Sequence, residues 1–411
     1  MKILHVVGGD IEGGAAKGAL VLHEALLRNG IQSRYLIQVG SSDPSKEVYS
    51  LNDRFITGIE QKIITKADRV FPKFFQRSYD LFSMGLFGLN ITVSSHYKWA
   101  DVIHLHWICN GTLSINEIKR IKKPVVWTLR DMWAFTGGCH YALTCTKYQS
   151  TCGKCPKLYG GFQKDISSLL QAKKVGFNIK NITFVAISEW LALIAKESHI
   201  LKDADIKFIS NNISDTFKRI NKAEARKALN LGLEKNIVLV GANNLKNEYK
   251  GFTHALKTIE KAVNHIENLH ILVFGSVDHA VLEEFKHFST HFGFVTSEEK
   301  MNLLYSASDC FLFTSVQEAF GKTIVESLAS GTPVVAFNAS APKYMLKHKN
   351  VGFLATPYNS ESLYEGICWA LSEKGNLNLR KYCSDYVDNH FNKDKSVRLY
   401  TQLYQEKQTA K

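Results

Sequence analysis

Short runs of branched and aromatic residues recur along this chain, each followed by a longer stretch with apolar residues at helical spacing. That alternation calls for βαβ units built on parallel, doubly covered strands. In the first half the strand candidates are Ile3–Val7, Arg34–Val39, Val102–His106, Val125–Leu129, Phe184–Ile187 and Lys207–Ile209. In the second half they are Ile237–Val240, His270–Phe274, Phe292–Val295, Cys310–Phe313, Pro333–Ala336 and Phe353–Ala355. A helix over Ala15–Asn29 fits between the first two, with Asn29-Gly30 as its stop. At 411 residues the chain exceeds one ordinary core and suits two domains of about 200 residues. The expected fold class is therefore α/β, with one doubly wound, Rossmann-like domain in each half. The polar stretch Asn211–Ala223 marks the seam, giving domains over 1–212 and 213–392 and a last helical segment, 393–411, packing back on the first. Two such domains facing each other leave a cleft at the carboxyl ends of their strands, where open α/β sheets bind ligands.

Charge narrows the partners. Lys and Arg number 51 against 38 Asp and Glu. Residues 1–210 hold 27 basic and 17 acidic residues, and 211–411 hold 24 and 21, so the excess lies in the first half. The basic residues are dispersed and no nucleic-acid module accompanies them, so nucleic acid is not an expected partner. No run of about 18 apolar residues suggests a membrane span, and the opening Met1–Val7 run is too short for a signal peptide. A cytoplasmic location follows as the expectation, with the eight cysteines reduced rather than paired.

Two segments stand out chemically. The first strand runs into Gly8-Gly9-Asp10-Ile11-Glu12-Gly13-Gly14-Ala15-Ala16-Lys17-Gly18, where small residues open a helix. This turn suits either a phosphate held by backbone amides or simple tight packing. It lacks the three-glycine dinucleotide spacing. The second segment is the run 315–335, in which Glu318 lies in a loop after a strand and Glu326 sits eight residues on, inside a helix opened by Gly321. A helix N-terminus suits a diphosphate, and a carboxylate within the helix can accept from sugar hydroxyls. Glu326 lies within the apolar run Ile324-Val325-Glu326-Ser327-Leu328-Ala329, where an unpaired charge is costly.

The Glu318/Glu326 segment, with Gly331-Thr332-Pro333-Val334-Val335 after it, resembles the Glu-x7-Glu signature of glycosyltransferase family 4. Those are retaining nucleotide-sugar transferases of the two-domain GT-B fold. Gly13-Gly14-Ala15-Ala16, Lys250-Gly251 and Phe274-Gly275 resemble the same family, so the likeness spans nearly the whole chain. The resemblance implies that Glu318 lies beside the donor sugar and Glu326 holds the ribose hydroxyls. It implies that amides of Ala319, Phe320 and Gly321 meet the sugar and pyrophosphate, with Lys250 and amides near Gly13 and Gly14 neutralising the leaving diphosphate. It places base recognition on backbone near Phe294 and Val295. Relatives often carry an Arg shortly before the Lys; here Lys246 takes that place or is a solvated lysine. The implied donor is a UDP- or GDP-sugar. No cofactor is required for catalysis and no protein general base is assigned, because the leaving phosphate serves as base in a front-face substitution.

The run Thr128–Tyr141 resembles the branch of the family that makes bacterial surface polysaccharides (O-antigen, capsule or exopolysaccharide). There a His often precedes the Asp; Arg130 replaces it before Asp131. Asp131 or His140 then stands in for that His, or Arg130 meets a phosphate, with Trp133 on the acceptor side. Cys139, Cys145, Cys152 and Cys155 follow within seventeen residues, as a structural zinc site or as packed thiols. Across Ile59–Arg77, Lys62, Lys66, Arg69 and Lys73 form a basic stripe beside Ile63, Ala67, Val70 and Phe74, and Pro72 limits the helix. This suits an anionic membrane surface and a lipid-linked or oligosaccharide acceptor, or an ordinary amphipathic helix. The expected activity is thus sugar transfer to a glycan hydroxyl. The alternatives are another GT-B enzyme, such as a sugar-nucleotide epimerase or a phosphorylase, or a basic nucleic-acid-binding protein.

Overall fold

A computed structural model describes residues 1–11, 13–51, 58–77, 81–177, 179–244, 247–276 and 286–409. The chain divides into two compact units: Met1–Asn212 with Lys393–Lys411, and Ile213–Asn392.

The first unit is a seven-stranded parallel sheet ordered β3-β2-β1-β4-β5-β6-β7. Its strands are β1 (Lys2–Val7), β2 (Gln32–Ile37), β3 (Val48–Ser50), β4 (Val102–Leu105), β5 (Val125–Leu129), β6 (Ile182–Ala186) and β7 (Asp205–Phe208). The helix Gly14–Arg28 covers β1 and β2 with Ala19, Leu22 and Leu26, and it stops at Asn29 where Gly30 turns at φ +74°. Ile3, Val102, Val126 and Val185 share one core with Leu22, Leu26 and, from the far end of the chain, Val397, Tyr400, Leu403 and Tyr404. The helix Lys393–Thr409 is therefore a structural part of this unit. Its Tyr404 hydroxyl lies 2.7 Å from His104 Nδ1, and its Tyr400 hydroxyl 2.9 Å from Thr128 Oγ1.

The second unit is a six-stranded parallel sheet ordered β10-β9-β8-β11-β12-β13. It comprises β8 (Asn236–Asn244), β9 (Leu269–Ser276), β10 (Ser289–His291), β11 (Cys310–Phe313), β12 (Val334–Phe337) and β13 (Gly352–Ala355). Val238, Val240, Ile271, Leu312 and Val335 form its core with Ala255, Ile259, Leu363 and Ile367 from two covering helices.

Three departures from the sequence reading have local causes. The strand expected over Phe292–Val295 lies at Ser289–His291, because Gly293 turns at φ +64° directly after it. β3 has three residues, too few for a readable pattern. β7 is an edge strand with a largely solvent-facing sequence, so apolarity places it two residues late. The basic helix ends at Val70, followed by a 3-10 turn over Phe71–Phe74 that contains Pro72.

Candidate active site

In each sheet the strand order reverses beside the first strand, between β1 and β4 and between β8 and β11. Loops leaving the carboxyl ends of such a pair diverge and open a ligand crevice. In the second unit these loops carry Lys250 and Glu318. Lys250 Nζ lies 2.7 Å from Glu318 Oε2, with both side chains largely buried. Gly251 makes the approach possible. It turns at φ +62°, and a Cβ there would lie 2.1 Å from the carbonyl oxygen of Thr314. Thr314 Oγ1 donates to Lys250 O, and the backbone N–H of Val316 donates to Tyr249 O, stitching the two loops together. Burial disfavours the Lys250 charge, but Glu318 and Tyr249 outweigh it and hold the ammonium above its ordinary range. Ser340 accepts from the backbone N–H of Glu318 at 3.0 Å and fixes the loop from the other side.

Beyond Glu318, the buried Ala319 and Phe320 lead to Gly321, which turns at φ +81° and caps the helix Lys322–Ala329. Glu326 is buried in that helix. Lys322 Nζ sits 3.2 Å from its Oε1, and the Tyr305 hydroxyl donates to its Oε2 at 3.2 Å. Burial pushes the Glu326 carboxyl up, against the pull of Lys322 and Tyr305. Sequence reasoning missed Lys322 and Tyr305. The first was visible as an i, i+4 partner of Glu326. The second left no signal, because helix packing alone brings it there. Val295 lies in the loop after β10, beside an exposed Phe294. Lys246 lies outside the described residues, as does Glu12 of the glycine turn.

In the first unit Gly13 and Gly14 open the Gly14–Arg28 helix after β1, the N-cap Gly13 having no side chain to cap its amides. Arg130 follows β5. Its Nη1 donates to Asn211 Oδ1 at 2.8 Å, its Nη2 lies 3.2 Å from His106 Nδ1, and its Nε has no partner. Among the described residues no carboxylate pairs with it. Gly18 makes room for it, since a Cβ there would lie 2.8 Å from Arg130 Nη1. His106 Nε2 meets His5 Nδ1 at 2.9 Å, and His104 uses both nitrogens on Tyr404 and Thr128. Asp131 Oδ2 lies 2.6 Å from His140 Nδ1, and His140 Nε2 lies 2.9 Å from Ser83 Oγ. Trp133 donates its indole N–H to Ser83 O. His140 and Trp133 are both buried, and their polar atoms pair with Asp131, Ser83 and Trp107. Arg130 and its partner Asn211 keep partial exposure.

Cys139, Cys145, Cys152 and Cys155 line one small cavity, and none is in a disulfide. Among the described residues, the group of His, Cys, Asp or Glu whose ligand atoms all fall within 4.8 Å of one another is His5, His104 and His106. Those nitrogens are largely engaged with each other, Tyr404 and Thr128, and Arg130 stands beside them. Along the basic helix, Lys62, Lys66, Arg69 and Lys73 line a groove of about 430 Å³. No described helix is long and apolar enough to cross a membrane.

Residues 221–390 match the family model described as glycosyl transferases group 1. WcaC of Escherichia coli K12, named for glycosyl transfer in colanic acid biosynthesis, is 22% identical over 372 residues, covering 84% of this chain and 85% of its own. The sucrose-phosphate synthase of Thermosynechococcus elongatus superposes with a TM-score of 0.72 over the full length of both chains at 18% identity. HepE of Anabaena, solved with UDP-glucose, gives 0.63 over 99% of this chain and 100% of its own at 15% identity. The two parallel-sheet units have the GT-B fold, and the chain is a glycosyltransferase.

Proposed function

We propose that this enzyme is a retaining family 4 transferase that moves a sugar from a nucleoside-diphosphate sugar to a glycan hydroxyl. The observation that carries the reading is the convergence of Lys250, Glu318, the Gly321 helix start and Glu326 at one reversal point of the second sheet. Each piece has a task there. Glu326, its burial opposing its charge, is poised to accept hydrogen bonds from ribose hydroxyls. The amides of Ala319, Phe320 and Gly321 meet the sugar and pyrophosphate. As the bond to the anomeric carbon breaks, charge grows on the leaving phosphate, and the Lys250 ammonium stabilises it without a metal. Glu318 holds Lys250 in register and lies beside the donor sugar. The leaving phosphate takes the acceptor proton, so no protein base is assigned.

The acceptor assigned is a lipid-linked glycan of bacterial surface polysaccharide synthesis, used at an anionic membrane. Support comes from the name of WcaC, from the groove lined by Lys62, Lys66, Arg69 and Lys73, and from exposed Ile63, Phe71, Phe74, Phe75 and Phe87. Phe71 packs on Phe75 and Phe87, so these rings form one patch. A panel of UDP- and GDP-sugars, scored by nucleoside diphosphate release and by anomeric configuration of the product, tests the reading. Release from one donor with retained configuration supports it; a folded protein that releases nothing from any donor refutes it.

A further inference from the structure

The four-cysteine loop has no task in sugar transfer, yet its architecture is specific. Between Cys139 and Cys155 the regular structure is a single 3-10 turn, Lys147–Gln149, so backbone ladders contribute little to its shape. The four cysteines nevertheless line one cavity of about 20 Å³, room for one water-sized body. Side chains of the helix Ile166–Val175 and its cap fix two of the cysteines. Asp165 accepts from the backbone N–H of Cys155 at 2.7 Å, and Gln171 accepts from that of Cys152 at 2.6 Å. Backbone N–H groups of Gly137 and Lys157 are directed at the sulfurs of Cys152 and Cys155. Burial pushes the thiols of Cys139, Cys152 and Cys155 up, to about 11 and about 12 for the first two, and the two backbone donors pull against it at Cys152 and Cys155. Two ammonium groups stand by: Lys157 acts on Cys139 and Cys155, and Lys174 on Cys139 and Cys152.

We propose that Cys139, Cys145, Cys152 and Cys155 bind one zinc ion as a structural tetrathiolate site. Four soft donors with no open position suit zinc in a structural role. Binding exchanges four thiol protons for one Zn²⁺ and leaves a net charge of −2, which Lys157 and Lys174 are placed to offset. The thiols stand further apart than ligands of one ion do, so binding draws them inward, and a loop without strands or long helices can make that move. The metal pins the segment that follows Asp131 and His140. Cys139 is tied to that segment through its carbonyl, which accepts from Thr136 Oγ1 at 2.6 Å, and His140 O accepts from the N–H of Met132.

The test uses the full chain purified with reductant and without chelator. Elemental analysis should find one zinc per chain, released in step with titration of four thiols by a mercurial. Chain stripped of zinc and given Co²⁺ should develop the absorption of tetrahedral cobalt thiolate, and its Tm should fall on stripping and recover with metal. Cys152→Ser/Cys155→Ser should lose the metal, while Cys368→Ser, at an exposed cysteine outside the loop, should keep it. The cobalt spectrum of the unaltered chain decides the matter even if the double variant fails to fold. A folded chain with no stoichiometric metal and no tetrahedral cobalt spectrum overturns the proposal, as does iron in place of zinc.

Discussion

The Lys250 ammonium sits 2.7 Å from the Glu318 carboxylate across 68 residues of chain, at the point where the second sheet reverses its strand order. Lys250 ends a 3-10 turn over Glu248–Lys250, and Glu318 lies in a loop. Gly251 lets one loop pass against the end of β11, and Ser340 holds the other. The pair keeps a cation and an anion together in a largely dry site.

Lys250→Met should lower kcat/KM by about 10²–10³, the usual loss when one donor to a developing anion is removed. Glu318→Ala should lower kcat by a larger factor than it raises the donor Kd. Steady-state kinetics and donor titration on the same preparations check both. Equal effects of Glu318→Ala on turnover and binding would refute the division of roles.

Glu326→Ala should act mainly on binding, raising the donor KM or Kd with a smaller change in kcat. Tyr305→Phe removes one hydrogen bond to the same carboxylate, which typically contributes about 1 kcal/mol, so a several-fold weaker Kd is expected. Calorimetry with nucleoside diphosphate alone reads both. An unchanged Kd for Glu326→Ala would place the ribose elsewhere.

Acid should destabilise the first unit. His5, His104 and His106 are held well below the ordinary imidazole range, by burial first and then by neighbouring His and Arg130 charges. Below about pH 6.5 the unfolded imidazoles bind protons that the folded ones do not, so this stability is complete above that pH and lost as pH falls. Three such groups amount to roughly 4 kcal/mol one pH unit lower. Urea midpoints between pH 7.5 and 5.5 measure it. His106→Asn should flatten the slope by about a third, and an unchanged slope would remove the histidines as its source.

The terminal helix should matter to the first unit in proportion to two tyrosines. Tyr404→Phe leaves the buried His104 Nδ1 without its partner and should cost about 1–3 kcal/mol. Tyr404→Ala adds a cavity and should cost about 3–5 kcal/mol. Denaturant unfolding checks this; a neutral Tyr404→Ala would mean that the helix is not integral to the core.

Binding to vesicles should need both charge and apolar contact. Anionic vesicles should retain the chain and zwitterionic ones should not. Ile63→Asp/Phe74→Asp, at two highly exposed positions, should weaken binding at least tenfold while leaving Tm unchanged. Equal binding by wild type and variant would discard this patch as the membrane contact.

Much of this protein was readable in one dimension. Buried parallel strands write themselves as short apolar runs, so β1, β5 and β11 stand where the sequence puts them. β7 and β10 lie at sheet edges with little buried sequence, and β3 has only three residues, which is why these three were missed or misplaced. The spacing of Glu318 and Glu326 is likewise local, because a loop and the helix after it set it. Partnership is not local. Lys250 with Glu318, Tyr305 with Glu326, Arg130 with Gly18 and His106, and Tyr404 with His104 are each made by packing between distant segments. Packing also gave His140 and Trp133 their partners, since a polar residue type does not record which atoms it meets inside the fold. The sequence by itself determined the two α/β units and the residue types at the site. The tertiary structure decided which charges meet, because only three-dimensional proximity and the loss of water make them partners.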